Sequence, residues 1–123
     1  MKRTIGLGAA AAMLAVTAAP AVAQSAPPPA FAACKACHTV DKGGRNGVGP
    51  NLHGVVGRPA AAAPGFNYSK ALKSSGLKWD EATLNQFLAA PMKKVPGTRM
   101  PIGMADPAKR AAIIAYLKAQ GGK

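Results

Sequence analysis

The sequence predicts an all-α fold of short helices joined by long loops, and three observations carry that reading. No stretch alternates apolar and polar residues convincingly enough to read as a strand. Two segments open on strong helix-start signals, Asp80 and Asp106-Pro107. Residues 39–67 hold seven glycines and three prolines at irregular intervals, the composition of a loop wrapped over something rather than of packed elements. In order along the chain, a first short helix starts near Pro28 or Pro29, where proline is tolerated in the first turn, and runs into Cys34-Lys35-Ala36-Cys37-His38. The long loop follows. Ser69–Ser75 reads as a short helix ending before Gly76. Asp80 caps a helix to about Ala89, with Leu84, Phe87 and Leu88 on one face and Pro91 beyond its end. Residues 91–105 read as loop again. Asp106 as N-cap and Pro107 in the first turn open the last helix, which runs to about Ala119 with Ile113, Ile114 and Leu117 on its buried stripe and Gly121 past its end.

The first residues read as an export signal. Lys2 and Arg3 form a basic n-region, Ile5 to Ala19 is apolar and alanine-rich, and Ala21-Val22-Ala23 is an A-x-A cleavage site. A membrane-spanning helix needs about 20 apolar residues, and Pro20 interrupts this one early. The chain therefore divides into a signal peptide at 1–23, a proline-rich segment at 24–30 and one small domain at 31–123. Without Lys2 and Arg3, 14 basic residues face four acidic ones, leaving 24–123 at +10. That excess argues for an acidic protein partner. Nucleic acid does not suit an exported protein, and no helix is long, basic and amphipathic enough to lie on a membrane. A domain of this size also buries only a modest core by itself.

The motif Cys34-x-x-Cys37-His38 supplies what the core lacks. C-x-x-C-H is the attachment signature of a c-type haem. Residues three and four apart share one side of a helical turn, so both thiols and the imidazole can meet one macrocycle. The thiols then form thioethers with the vinyl groups, and His38 lies under the iron. A zinc site would need four ligands, and beyond the motif His53 is the one further Cys or His. A thioredoxin-like pair would need strand–helix alternation, and a disulfide would leave His38 without a role. For the other face of the iron the candidates are His53, Met92, Met100 and Met104. Pro96-Gly97-Thr98-Arg99-Met100-Pro101 restricts the backbone on both sides of Met100. Thioether sulfur also raises the potential of a His-ligated iron, so Met100 is favoured.

Taken together, CKACHTV, GVGPNLHGVVGR, APGFNYSKA, LKW, PGTRM and IIAYLK, in this order and spacing, resemble the class I cytochrome c family, closest to mitochondrial cytochrome c and its soluble bacterial relatives. The resemblance spans Cys34 to Leu117. It implies the cytochrome c fold around one covalent haem c, with His38 and Met100 as axial ligands. It also implies that the Pro50 carbonyl accepts the His38 ring N–H, which fixes the ring and raises its basicity. Arg58, Tyr68, Ser69 and Trp79 fall where the family places donors to a buried propionate, and Thr98 lies near the haem and the methionine loop. Departures are present. Phe87 stands where a tyrosine often bonds the ligand sulfur, Leu72 replaces an internal polar residue, and Ile102 replaces an aromatic. The N-terminal helix lacks its usual glycine and aromatic pair, with Phe31 as the substitute.

The function implied is a periplasmic electron carrier rather than an enzyme, since a doubly ligated iron has no position for substrate. It would be a monomer shuttling single electrons from a cytochrome bc complex to a terminal oxidase or reaction centre through partners with acidic docking faces. The alternatives are a haem subunit of a periplasmic dehydrogenase and a weak haem peroxidase. Lys35, Lys93 and Arg99 are expected to rim the exposed haem edge. Ala33, Gly47 and Met92 replace lysines that relatives carry there, so the basic excess is spread over Arg45, Lys70, Lys73, Lys109 and Arg110.

Overall fold

A computed structural model describes residues 1, 5–17 and 26–121. Lys2, Arg3 and the cleavage site at Ala21–Ala23, with the expected new N-terminus at Gln24, lie outside the described residues. Residues 5–17 have no regular secondary structure and are exposed, with Leu7 and Met13 contributing nothing to the core. Among the described residues no helix is long and apolar enough to cross a membrane.

The fold is helical, as the sequence predicts, with five short α-helices among the described residues: α1 (Ala32–Lys35), α2 (Lys70–Lys73), α3 (Glu81–Ala89), α4 (Pro91–Lys94) and α5 (Pro107–Gln120). A single 3₁₀ turn, Pro29–Phe31, leads into α1. Proline at the start of that turn loses nothing, because its missing N–H would be unpaired there. The expected caps form. Asp80 accepts from the Thr83 N–H at 2.7 Å, and this bond holds its carboxyl below the usual range. Asp106 accepts from Ala108 and Lys109, and Ser69 from Leu72. Two expectations change. Ser69 lies outside α2 as its cap, so that helix is a single turn. Residues 91–105 are not all loop, because Pro91–Lys94 makes one turn of helix entered from Ala90 at φ −154°. Proline at a first helical position permits it, but four residues without a side-chain cap carry too little pattern to be read. One isolated antiparallel bridge, Pro59 with Lys78, pins the long loop beside α3.

The core sits where α3 and α5 cross beneath the N-terminal turn. Leu84, Phe87 and Leu88 from α3 meet Ile113, Ile114, Tyr116 and Leu117 from α5. Phe31 fills the third side, fully buried, its ring edge-on to Tyr116 with centroids 4.8 Å apart. It therefore occupies the packing role expected of the missing glycine–aromatic pair. Phe31→Ala is expected to cost about 3–5 kcal/mol, since a buried aromatic leaves a cavity that neighbours refill only in part. Denaturant unfolding of the holoprotein measures it, and a cost below about 1 kcal/mol would remove Phe31 from the core account.

Candidate haem site

The C-x-x-C-H motif begins in α1 and outlasts it. Past Lys35 the backbone continues the turn, with the His38 N–H donating to the Cys34 carbonyl at 2.9 Å and that of Cys37 to the same oxygen at 3.1 Å. This i to i−4 bond is what turns Cys34, Cys37 and His38 to one side. All three line a cleft of about 320 Å³ between this turn, the long loop, the 95–105 segment and the α3–α5 core. The other seven residues singled out by the sequence, Pro50, Arg58, Tyr68, Ser69, Trp79, Thr98 and Met100, line the same cleft. Met104 reaches it as well. Met92 is exposed, and the His53 ring pairs through Nδ1 with the Val40 carbonyl at 3.1 Å, away from the lining.

The imidazole of His38 is held from two sides. Its Nδ1 lies 2.7 Å from the Pro50 carbonyl, so Nδ1 carries the proton and Nε2 is left as a lone-pair donor. Burial lowers its pKa against the opposing pull of that bond, keeping the ring neutral, the form that binds metal. Gly49 forms the second side, and the sequence reading passed over it. A Cβ at this buried glycine would stand 2.6 Å from Nδ1 and 2.8 Å from Nε2 of His38. Gly49→Ala is therefore expected to displace the ring and lower stability by about 1–3 kcal/mol. Holoprotein yield and unfolding midpoint check this, and a wild-type midpoint would show that the ring has room to move.

Asn46 was missed too. Its Oδ1 accepts from the Asn51 N–H and its Nδ2 donates to the Pro64 carbonyl, each at 2.9 Å, closing one part of the long loop on another. Such a bridge carries no sequence signal, because asparagine in a glycine-rich stretch ordinarily reads as a turn residue.

The polar wall of the cleft is built for an acceptor. Arg58 donates from Nη1 to the His53 carbonyl at 3.1 Å and from Nη2 to the Asn51 carbonyl at 3.2 Å. Its Nε is buried with no hydrogen-bond partner. A buried guanidinium N–H without an acceptor is costly, so a carboxylate in the cleft would complete it. Tyr68 accepts from the Ala63 N–H at 2.9 Å, which leaves its own O–H to donate. Opposite, Val95 to Thr98 form a turn closed by the Thr98 N–H on the Val95 carbonyl at 3.0 Å, with Pro96 and Gly97 at its centre and Gly97 at φ +91°. That is a type II turn, which requires a residue of this conformational freedom at its third position. The Met100 N–H then donates to Thr98 Oγ1 at 3.3 Å.

Both cysteines are unbridged and half-buried, and burial pushes the Cys34 thiol up rather than down, whereas reactive cysteines have lowered pKa values. No group of three or more His, Cys, Asp or Glu side chains among the described residues is placed to hold a metal by itself.

A sequence profile described as Cytochrome c matches residues 29–120. The chain belongs to the cytochrome c family. Similar relatives of this cytochrome c include cytochrome c2 of Rhodoblastus acidophilus, 53% identical over 97 residues that cover 76% of this chain and 91% of the relative. Cytochrome c of Sesamum indicum is 48% identical over 86 residues, covering 69% and 78%. Among solved structures, cytochrome cH from Methylobacterium extorquens aligns with a TM-score of 0.67 at 59% identity, covering 72% of this chain and 90% of that one. This cytochrome c is an electron-transfer protein with covalent haem c, not an enzyme, and Cys34 and Cys37 have the spacing that attachment requires. The residues present fit the group: two thiols beside a neutral imidazole, and an unpaired buried guanidinium N–H on a residue that lines the same cleft.

Proposed function

We propose that this cytochrome c is a periplasmic shuttle whose iron is held by His38 and Met100, passing single electrons between a quinol-oxidising cytochrome bc complex and an oxidase or reaction centre. The observation that carries the reading is the shared cleft, in which His38, with Nε2 free, and Met100, two residues beyond a type II turn, line the same space as both thiols. When bound, haem supplies a one-electron couple at its iron. The chain's residues do the rest. Cys34 and Cys37 anchor it through thioethers. Pro50 and Gly49 fix the His38 ring, and Trp79, Leu84 and Phe87 exclude water. Arg58, Tyr68, Ser69 and Trp79 donate to a propionate, which lowers the cost of burying its charge. Thr98 holds the backbone of Met100. Export is supported by the signal-like leader and by the lack of core contacts at residues 5–17. On this reading 1–23 is the signal peptide, 24–30 the proline-rich segment and 31–123 the cytochrome c domain, which holds α1 to α5.

Two filled axial positions distinguish a carrier from a peroxidase. The purified ferric protein should reduce reversibly by one electron and show negligible turnover with peroxide, and it should leave a sizing column as a free monomer. Rapid peroxide turnover, or copurification with a dehydrogenase, would overturn the proposal.

Docking is expected to be electrostatic through Lys35, Lys93 and Arg99, all exposed, of which Arg99 also lines the cleft. Arg99 also donates to the Asn67 carbonyl at 2.8 Å. With an acidic redox protein the bimolecular rate should fall as salt rises, because exposed charges are screened beyond roughly 10 Å at 0.1 M. Lys93→Glu should slow that rate more than Lys109→Glu, which makes the same charge change on α5. Equal slowing would leave net charge as the only determinant.

A further inference from the structure

Arg110 has the sequence context of a surface charge, on the first turns of α5 beside Lys109. Its side chain behaves otherwise. The guanidinium turns back beneath the 95–105 segment, and Nη1 donates to the carbonyls of both Met104 and Ala105 at 2.8 Å. Its Nε donates to Asn85 Oδ1 on α3 at 2.9 Å. The Met104 N–H meanwhile donates to the Leu88 carbonyl at 2.7 Å. Residue 104 is thus held through both its peptide groups, by α3 on one side and by α5 on the other. We propose that Arg110, oriented by Asn85, is a positioning residue that clamps the exit of the methionine segment and so sets how readily Met100 gives up its place on the iron. The proposal rests on the reading of Met100 as axial ligand.

Three physical points support the clamp. First, a guanidinium only donates, and N–H bonds from a charged donor are roughly twice as strong as neutral ones. Two of them on successive carbonyls, with a third fixing the plane of the fork, leave the group one orientation. Second, the tether is short. Four residues beyond Met100 reach at most about 14 Å when extended, so a fixed residue 104 limits how far residue 100 can swing. Between the two, Pro101, Ile102 and Gly103 are exposed. Third, Asn85 and Arg110 stem from the two core helices, whose Leu84 and Leu88 meet Ile113 and Leu117, so the segment is tied to the backbone of that helix pair. The entrance to the segment has its own fastening, the Val95–Thr98 turn and the Arg99 bond to Asn67, which makes the exit the end that Arg110 governs.

The test titrates the haem-loaded ferric protein with imidazole, which competes with a thioether for the sixth position, and follows the sulfur-to-iron charge-transfer band. Arg110→Leu should bind imidazole at least tenfold more tightly than wild type, the equivalent of losing roughly one charged hydrogen bond. Asn85→Ala should move it the same way by less, and Arg110→Lys should recover part of the loss. Lys109→Leu removes the neighbouring charge and Phe31→Leu lowers global stability; both should stay within about twofold of wild type on the same scale. An unchanged constant in Arg110→Leu with the band present overturns the clamp alone. So does a Phe31→Leu shift as large as that of Arg110→Leu, because global stability would then explain both. If Arg110→Leu does not accumulate as holoprotein, Asn85→Ala carries the decision, and a wild-type constant there overturns the clamp. A wild-type protein without the band overturns the ligand assignment and the clamp with it.

Discussion

Replacing Cys34 or Cys37 by alanine should leave at most one thioether, and the double replacement none, since these are the only cysteines of the chain. The effect is the largest expected of any substitution, because the core alone is small and much of the cleft wall, including Leu84, Phe87, Leu88, Ile113 and Leu117, is also core. Losing the group therefore exposes the interior of the α3–α5 pair rather than a peripheral pocket, and holoprotein yield should fall steeply. Acidified organic solvent should extract the haem from the double variant and leave it on the wild type. Full retention in the double variant would mean that attachment does not run through these thiols.

Met100→Ala should lower the reduction potential and abolish the sulfur-to-iron band, because the thioether stabilises the reduced iron relative to a water or nitrogen ligand. The same change at Met92, an exposed side chain, should leave both nearly as they are. Met104→Ala is the sharper comparison, since Met104 also reaches the cleft. Its backbone is held by Leu88 and Arg110, so its side chain is expected to fill space beside the haem rather than to ligate. A band that survives at 100 and vanishes at 104 would move the ligand by one loop turn. The missing hydroxyl at Phe87 fits this picture, because that ring is turned onto Trp79, centroids 4.9 Å apart, and offers the sulfur no donor.

The parts of this molecule that sequence makes legible are those whose physics is local. Asp80 and Asp106 cap helices because a side-chain oxygen satisfies N–H groups two or three residues on, and Pro96-Gly97 makes a type II turn because proline suits its second position and glycine the positive φ of its third. The C-x-x-C-H motif needs one turn of backbone to assemble itself. Arg110 is a different case. Its acceptors are backbone carbonyls on a segment whose path depends on the whole fold, so nothing in Ala108-Lys109-Arg110 distinguishes a clamp from a solvated charge. Gly49 reads as one glycine among many until the His38 ring is seen lying against it. Pro91–Lys94 is one turn long, and its formation depends on where α3 ends rather than on its own four residues.

Binding of one haem c between His38 and Met100 can be read from the methionine methyl signals of the reduced protein. A thioether methyl seated over the face of an aromatic macrocycle is strongly shielded by its ring current, whereas methyls at its edge or in solvent are not. With methionines labelled at the methyl carbon, a single far-shifted resonance is expected, assigned to position 100 by its loss in Met100→Leu and its persistence in Met104→Leu. No far-shifted methyl, or one lost only on substitution of Met104, would contradict it.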